Sequence, residues 1–141
     1  MPQVDFYILP DGGVDAVETY ACRLTEKVAG LGHRVLVVAA DPAASARMDE
    51  RLWTFRPGSF VAHAAWSAEI DPLTPVVIHT GADCQWPHAV AINLAGVTPE
   101  ALSEIERVAE IVGADPAERE AGRARFSAWR RLGVEPTVHN I

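Results

Sequence analysis

Cysteine is scarce in this 141-residue chain, which has only Cys22 and Cys84, with 61 residues between them. Two cysteines give no sign of a disulfide scaffold, and no secretory hydrophobic segment stands at the start, so the expected compartment is cytoplasmic. Long apolar runs are also missing. The longest, such as Val35 to Ala40, falls far short of the roughly 20 residues that cross a bilayer, and no membrane association is expected. Basic side chains are in deficit, with 12 Lys and Arg against 19 Asp and Glu and a net charge of -7. Unaided wrapping of a phosphate backbone would work against that field, so any contact with DNA is expected to be indirect. What remains is an ordinary soluble composition, 49% hydrophobic and 22% charged, sufficient for one folded domain over residues 1–141.

Hydrophobic patterning points to an α/β fold. Val4 to Leu9 is an apolar run of strand formers closed by Pro10-Asp11-Gly12-Gly13, a cluster that favours a turn. Val14, Val17, Ala21, Leu24 and Val28 then recur at steps of three and four, which predicts an amphipathic helix ended by Gly30 and Gly32. Arg34 to Ala39 has no polar alternation after its first residue, as in a parallel strand covered on both faces. Asp41 as N-cap and Pro42 at the first helical position open a second helix reaching Leu52 or Trp53. Periodicity fades from Thr54 to Pro75, and strands are expected at Pro75 to His79 and Ala89 to Leu94. Thr98-Pro99 is read as the start of a third helix, with Leu102, Ile105, Val108, Ile111 and Val112 as its buried stripe and Gly113 as its end. Asp115-Pro116 repeats the signal for a last helix running to about Leu132, stopped by Gly133 and Pro136. The expected architecture is a single three-layer sandwich around a mostly parallel sheet.

A sheet of this kind often binds nucleotides at the turn after its first strand. Here that turn is Pro10-Asp11-Gly12-Gly13-Val14, with neither G-x-G-x-x-G nor G-x-x-x-x-G-K-[ST]. The glycine spacing that brings amides onto a phosphate is absent, as is the neutralising lysine, so no cofactor is expected. His79, Cys84 and His88 form an H-x4-C-x3-H string, but the spacing matches no known zinc motif and lacks a fourth ligand. Strand-end and loop positions explain these residues equally well, and no metal site is expected. Cys84 lacks the Gly-rich elbow and orienting carboxylate of a thiol nucleophile. Asp11, Asp71 and Asp83 sit where carboxylates cap turns, so no catalytic residue is assigned. A second class stays open: a small cytoplasmic hydrolase or nucleotide-dependent enzyme with His79, Asp83 and Cys84 at the strand ends.

The acidic excess stops short of the last helix. Between Pro116 and Gly133 there are five basic residues against two acidic. At about 100° per residue, Arg119, Arg123, Phe126 and Arg130 fall in one stripe about 60° wide. The opposite stripe of Ala117, Ala121, Ala124, Ala128 and Leu132 is the expected docking face. A presented Arg/Phe/Arg surface suits a short acidic peptide with an aromatic anchor or a terminal carboxylate, because each guanidinium can grip a carboxylate with two hydrogen bonds. The spacing is equally compatible with a solvated helix face whose ring folds under a loop. Trp53, Phe55, Phe60 and Trp66 cluster around Pro57 and Gly58, and this block reads either as core packing or as an apolar surface for a protein partner.

Three segments together resemble the chi subunit of bacterial DNA polymerase III. They are Asp5-Phe6-Tyr7-Ile8-Leu9; Met48-Asp49-Glu50-Arg51-Leu52-Trp53 with Pro57 and Ser59-Phe60-Val61-Ala62-His63; and Arg123-Ala124-Arg125-Phe126-Ser127-Ala128-Trp129-Arg130 with Gly133. They occur in order over nearly the whole chain. The resemblance implies a fold like that of P-loop NTPases without the phosphate loop, and a non-catalytic accessory role in the clamp-loader assembly. It implies a link from that assembly to single-stranded-DNA-binding protein, whose acidic, phenylalanine-ended C-terminal tail the family holds. Carried over by motif, the tail positions are Val112, Arg119, Arg123, Phe126 and Arg130. Arg119 stands where a lysine is familiar, Phe126 where a tyrosine is, and Ser127 replaces a basic residue of the pattern. The family's other partner, the small psi subunit, meets an apolar surface matched here by Trp53, Pro57 and Phe60. After Ala64 the chain departs from the familiar pattern.

Overall fold

In a computed structural model, which describes residues 2–83, 86–94 and 97–141, the first strand β1 (Gln3–Ile8) leads into α1 (Val14–Gly30), β2 (Val35–Val38) and α2 (Pro42–Thr54). Three short strands follow, β3 (His63–Ala65), β4 (Val76–His79) and β5 (Val90–Asn93), then a single 3₁₀ turn at Pro99–Leu102. The chain finishes with β6 (Arg107–Val112), α3 (Pro116–Arg131) and β7 (Thr137–Asn140). All seven strands join one sheet in the order β3-β4-β2-β5-β6-β1-β7, and every pairing is parallel. This is the expected three-layer α/β sandwich.

Side chains alternate across the sheet and so divide the core in two. Val35, Val37, Val76, Ile78, Ile92 and Ile111 meet Ala21 and Cys22 of α1 and Met48 and Leu52 of α2. On the other face Val4, Phe6, Leu36, Val38, Val108 and Val112 meet Leu102, Trp129 of α3 and Val134. At about 1.5–3 kcal/mol for each large apolar side chain fully buried, these two layers are the main source of stability. The Asp41 side chain accepts the Ala44 N–H at 2.8 Å with Pro42 in the first turn, so the predicted start of α2 is the observed one.

The expected third helix is not formed. Only one 3₁₀ turn occupies Pro99–Leu102, and Val108, Ile111 and Val112 lie in β6, an inner strand between β5 and β1. Its residues 108–112 are buried on both faces, which removes the polar alternation that would mark a strand and leaves an apolar run any buried element could produce. β3 falls inside the stretch expected to be irregular, and β7 lies beyond the last predicted element. They are the two sheet edges and are only three and four residues long.

The predicted docking face of α3 is also corrected. Ala117, Ala121, Ala124 and Leu132 are exposed, while Gly122, Ala128 and Trp129 are buried. A fully buried indole removes far more apolar surface from water than a row of methyl groups, so Trp129 sets the rotation of the helix. Gly122 lets the backbone come close, since a Cβ there would lie 2.8 Å from Val112 Cγ1. Beneath α3 the fully buried Glu110 carboxylate of β6 accepts Arg125 Nε at 2.9 Å, Trp129 Nε1 at 2.9 Å and Asn93 Nδ2 at 3.1 Å. Burial pushes its pKa up, while Arg125 most, then Trp129 and Asn93, pull it down.

Candidate functional site

The rotation of α3 places a cavity of about 400 Å³ between that helix and the strands β1, β6 and β7. Four of the five residues proposed for tail binding line it: Val112 from the end of β6, and Arg119, Arg123 and Phe126 from α3. Phe126 is half-buried rather than freely presented, with its ring edge-on to Phe6 at a centroid distance of 5.2 Å. Arg119 donates from Nη2 to the Leu9 carbonyl at 2.9 Å, which anchors it, while its Nη1 is buried with no hydrogen-bond partner among the described residues. Arg123 is exposed and, among the described residues, has no ion pair or side-chain hydrogen bond. Arg130 does not line the cavity, and its Nε lies 3.4 Å from Glu135 Oε1 on the surface. The site therefore combines an apolar floor, one anchored guanidinium and one free guanidinium, suited to an anionic group attached to a hydrophobic one. Val138 and Asn140 of β7 complete the wall; neither was legible beforehand, because a short polar edge strand carries no hydrophobic period.

The turn after β1 is filled by the chain itself. Gly13, at the N-cap of α1, donates its N–H to Glu118 Oε1 at 2.9 Å, and Asp115 N–H reaches the same oxygen at 3.2 Å. A Cβ on Gly113 would lie 2.4 Å from that oxygen, and one on Gly12 would lie 2.1 Å from Asp115 Oδ1. In a phosphate-binding relative of this fold the helix N-terminus faces the ligand. Here it faces a carboxylate.

At the opposite edge, Trp53 and Phe60 are 47% and 73% exposed, and Pro57 is exposed beside them. Core packing does not describe these rings. They contact each other at 5.4 Å, and Trp53 lies 4.4 Å from the His63 ring. Phe55 and Trp66 do pack, one against each core layer. Glu26 of α1 holds the loop by accepting from Arg56 at 2.6 Å and from Ser59, bonds that keep its pKa below the usual carboxylate range.

Two of the three residues of the enzymatic alternative, His79 and Asp83, are in contact. His79 Nε2 pairs with Asp83 Oδ1 at 2.8 Å in a shallow surface depression, and this pairing lowers the Asp83 pKa. Cys84 lies outside the described residues. His88 Nδ1 is 2.6 Å from the Trp86 carbonyl oxygen, and its ring stacks on Trp86. No three His, Cys, Asp or Glu side chains among the described residues are placed to hold a metal ion. Burial pushes the Cys22 thiol up to about 12, so it is not a nucleophile at neutral pH. No helix among the described residues is long and apolar enough to cross a membrane.

The family model described as DNA polymerase III chi subunit, HolC, matches residues 1–137. The chain belongs to the DNA polymerase III chi subunit family. It is similar to the DNA polymerase III subunit chi of Pseudomonas aeruginosa, with 36% identity over 100% of this chain and 98% of that protein. The subunit chi of Haemophilus influenzae is 28% identical over 96% of this chain and 95% of that protein. That of Escherichia coli is 26% identical, covering 94% of each. Among solved structures, the crystal structure of T4 UvsW superposes on 99% of this chain and 41% of that chain, with TM-score 0.69 and 9% identity. The last match shows a shared fold alone. Family membership makes the chain an accessory subunit of a DNA polymerase, acting in DNA replication.

Proposed function

We propose that this chain is a non-catalytic, cytoplasmic adaptor that connects the clamp-loader assembly to single-stranded-DNA-binding protein by holding its acidic C-terminal tail. The observation that carries the reading is the cavity joining Val112, Arg119, Arg123 and Phe126. Its unpartnered guanidinium nitrogens suit the tail's carboxylates, and its apolar floor suits a terminal phenyl ring. The Glu118 side chain of α3, which accepts from Gly13 at the start of α1, supports a role without a nucleotide, because an incoming phosphate would meet a carboxylate there. A few charge-assisted contacts and one buried ring correspond to a Kd of about micromolar strength. Fluorescence anisotropy with a labelled acidic peptide ending in phenylalanine should give that affinity and show it weakening as salt rises. An affinity independent of ionic strength would contradict the cationic groove.

The exposed Trp53, Pro57 and Phe60 are the proposed contact for the psi subunit. Trp53→Ala should leave the melting temperature close to wild type, because the ring is half out of the fold, and should abolish co-purification with psi. A collapsed domain, or undiminished co-purification, would remove this assignment.

A further inference from the structure

The cavity beside α3 opens onto an unpaired sheet edge. β7 is the outermost strand and, among the described residues, pairs only with β1, in parallel register from Asp5 opposite Thr137 to Ile8 opposite Asn140. Ile141 donates its N–H to the Ile8 carbonyl at 3.0 Å. Backbone groups alternate in direction along a strand, so those of His139 and Thr137 also turn toward β1. The N–H and C=O of Val138 and Asn140 therefore point away from the sheet. The same two residues line the cavity that holds Arg119, Arg123 and Phe126.

Natural edges are normally blunted by lysine, proline or a bulge. The sequence Thr137-Val138-His139-Asn140 contains neither residue, its pairing with β1 is unbroken, and Val138 is 47% exposed. Charge selects the occupant. Arg123 is free of ion pairs among the described residues and Arg119 Nη1 is unpartnered, so an acidic extended peptide is attracted, whereas a second copy carrying a net charge of -7 is repelled. We infer that the acidic tail adds to β7 as an eighth strand, exchanging main-chain hydrogen bonds with Val138 and Asn140 while its last residue enters the cavity at Arg119, Arg123 and Phe126. The inference rests on the tail-binding reading and adds a mode of recognition in which the backbone supplies affinity and the cavity supplies selectivity.

Amide hydrogen exchange followed by NMR, with and without saturating acidic peptide ending in phenylalanine, tests it. The Val138 and Asn140 amides should slow by roughly tenfold or more, a factor worth about 1.4 kcal/mol, while Ile141, already bonded to β1, changes little. Peptides N-methylated at single residues should lose about tenfold in affinity wherever the methyl replaces an N–H facing β7 and nothing where it faces away. Peptide that binds with those two amides unchanged, or binds equally in every N-methylated form, would overturn strand addition and leave tail binding standing. No binding of any peptide would remove both. Protection of Val138 and Asn140 that rises with protein concentration in the absence of peptide would assign the edge to a second copy and overturn the inference.

Discussion

Arg123→Ala should weaken binding of the proposed tail peptide by about 1.5 to 3 kcal/mol, the range for hydrogen bonds to charged groups, and leave the melting temperature almost unchanged. The two halves of that expectation come from the same observation. Arg123 lines the cavity yet is exposed and makes no side-chain hydrogen bond or ion pair among the described residues, so removing it costs the fold little. Arg119 differs, because its Nη2 is bonded to the Leu9 carbonyl and its loss would disturb the end of β1 as well. Anisotropy titration paired with thermal melts separates the two arginines. Equal peptide affinity for wild type and Arg123→Ala would remove the free guanidinium from the site.

Glu110→Ala should be the most destabilising of these changes, at about 3 to 5 kcal/mol, the usual cost of removing one partner of a buried ion pair. The carboxylate is fully buried and accepts from Arg125, Trp129 and Asn93. Its removal leaves the largely buried Arg125 guanidinium and the Trp129 indole N–H without that acceptor. Because those two donors lie on α3, the same substitution should also loosen the helix that carries Arg119, Arg123 and Phe126, and peptide affinity should fall with stability. Glu110→Gln keeps a carbonyl acceptor in place and should cost less. Urea unfolding of the three proteins checks the order; a loss below about 1 kcal/mol for Glu110→Ala would mean that the pair contributes little beyond its burial cost.

The parts of the fold visible in the sequence were those with strong local signals. Asp41-Pro42 and Asp115-Pro116 announced their helices, and Val35 to Val38 announced an inner parallel strand. Residues 108–112 were misread because a strand buried on both faces has the same apolar density as a buried helix, and the one charged residue that breaks the run, Glu110, is itself buried by partners 15 to 19 residues away. β3 and β7 were invisible because edge pairing is a property of the neighbouring strand rather than of their own composition. The candidate site was legible in its charges and less so in its geometry. The spacing of Arg119, Arg123 and Phe126 placed them together, and the cavity joins them. Arg130 is absent from that cavity, the alanine stripe faces solvent, and Gly122, Val138 and Asn140 could be found only once helix and strands were brought together.

The most direct measurement is a titration of the wild-type chain with the acidic tail peptide, with and without its terminal phenylalanine. The complete peptide should bind with a Kd of about micromolar strength, and the shortened one at least tenfold more weakly, because the cavity at Phe126 and Val112 would be left unfilled and the terminal carboxylate displaced from Arg119 and Arg123. Equal affinity for the two peptides, or no binding of either, would contradict a site built to receive the end of an acidic chain.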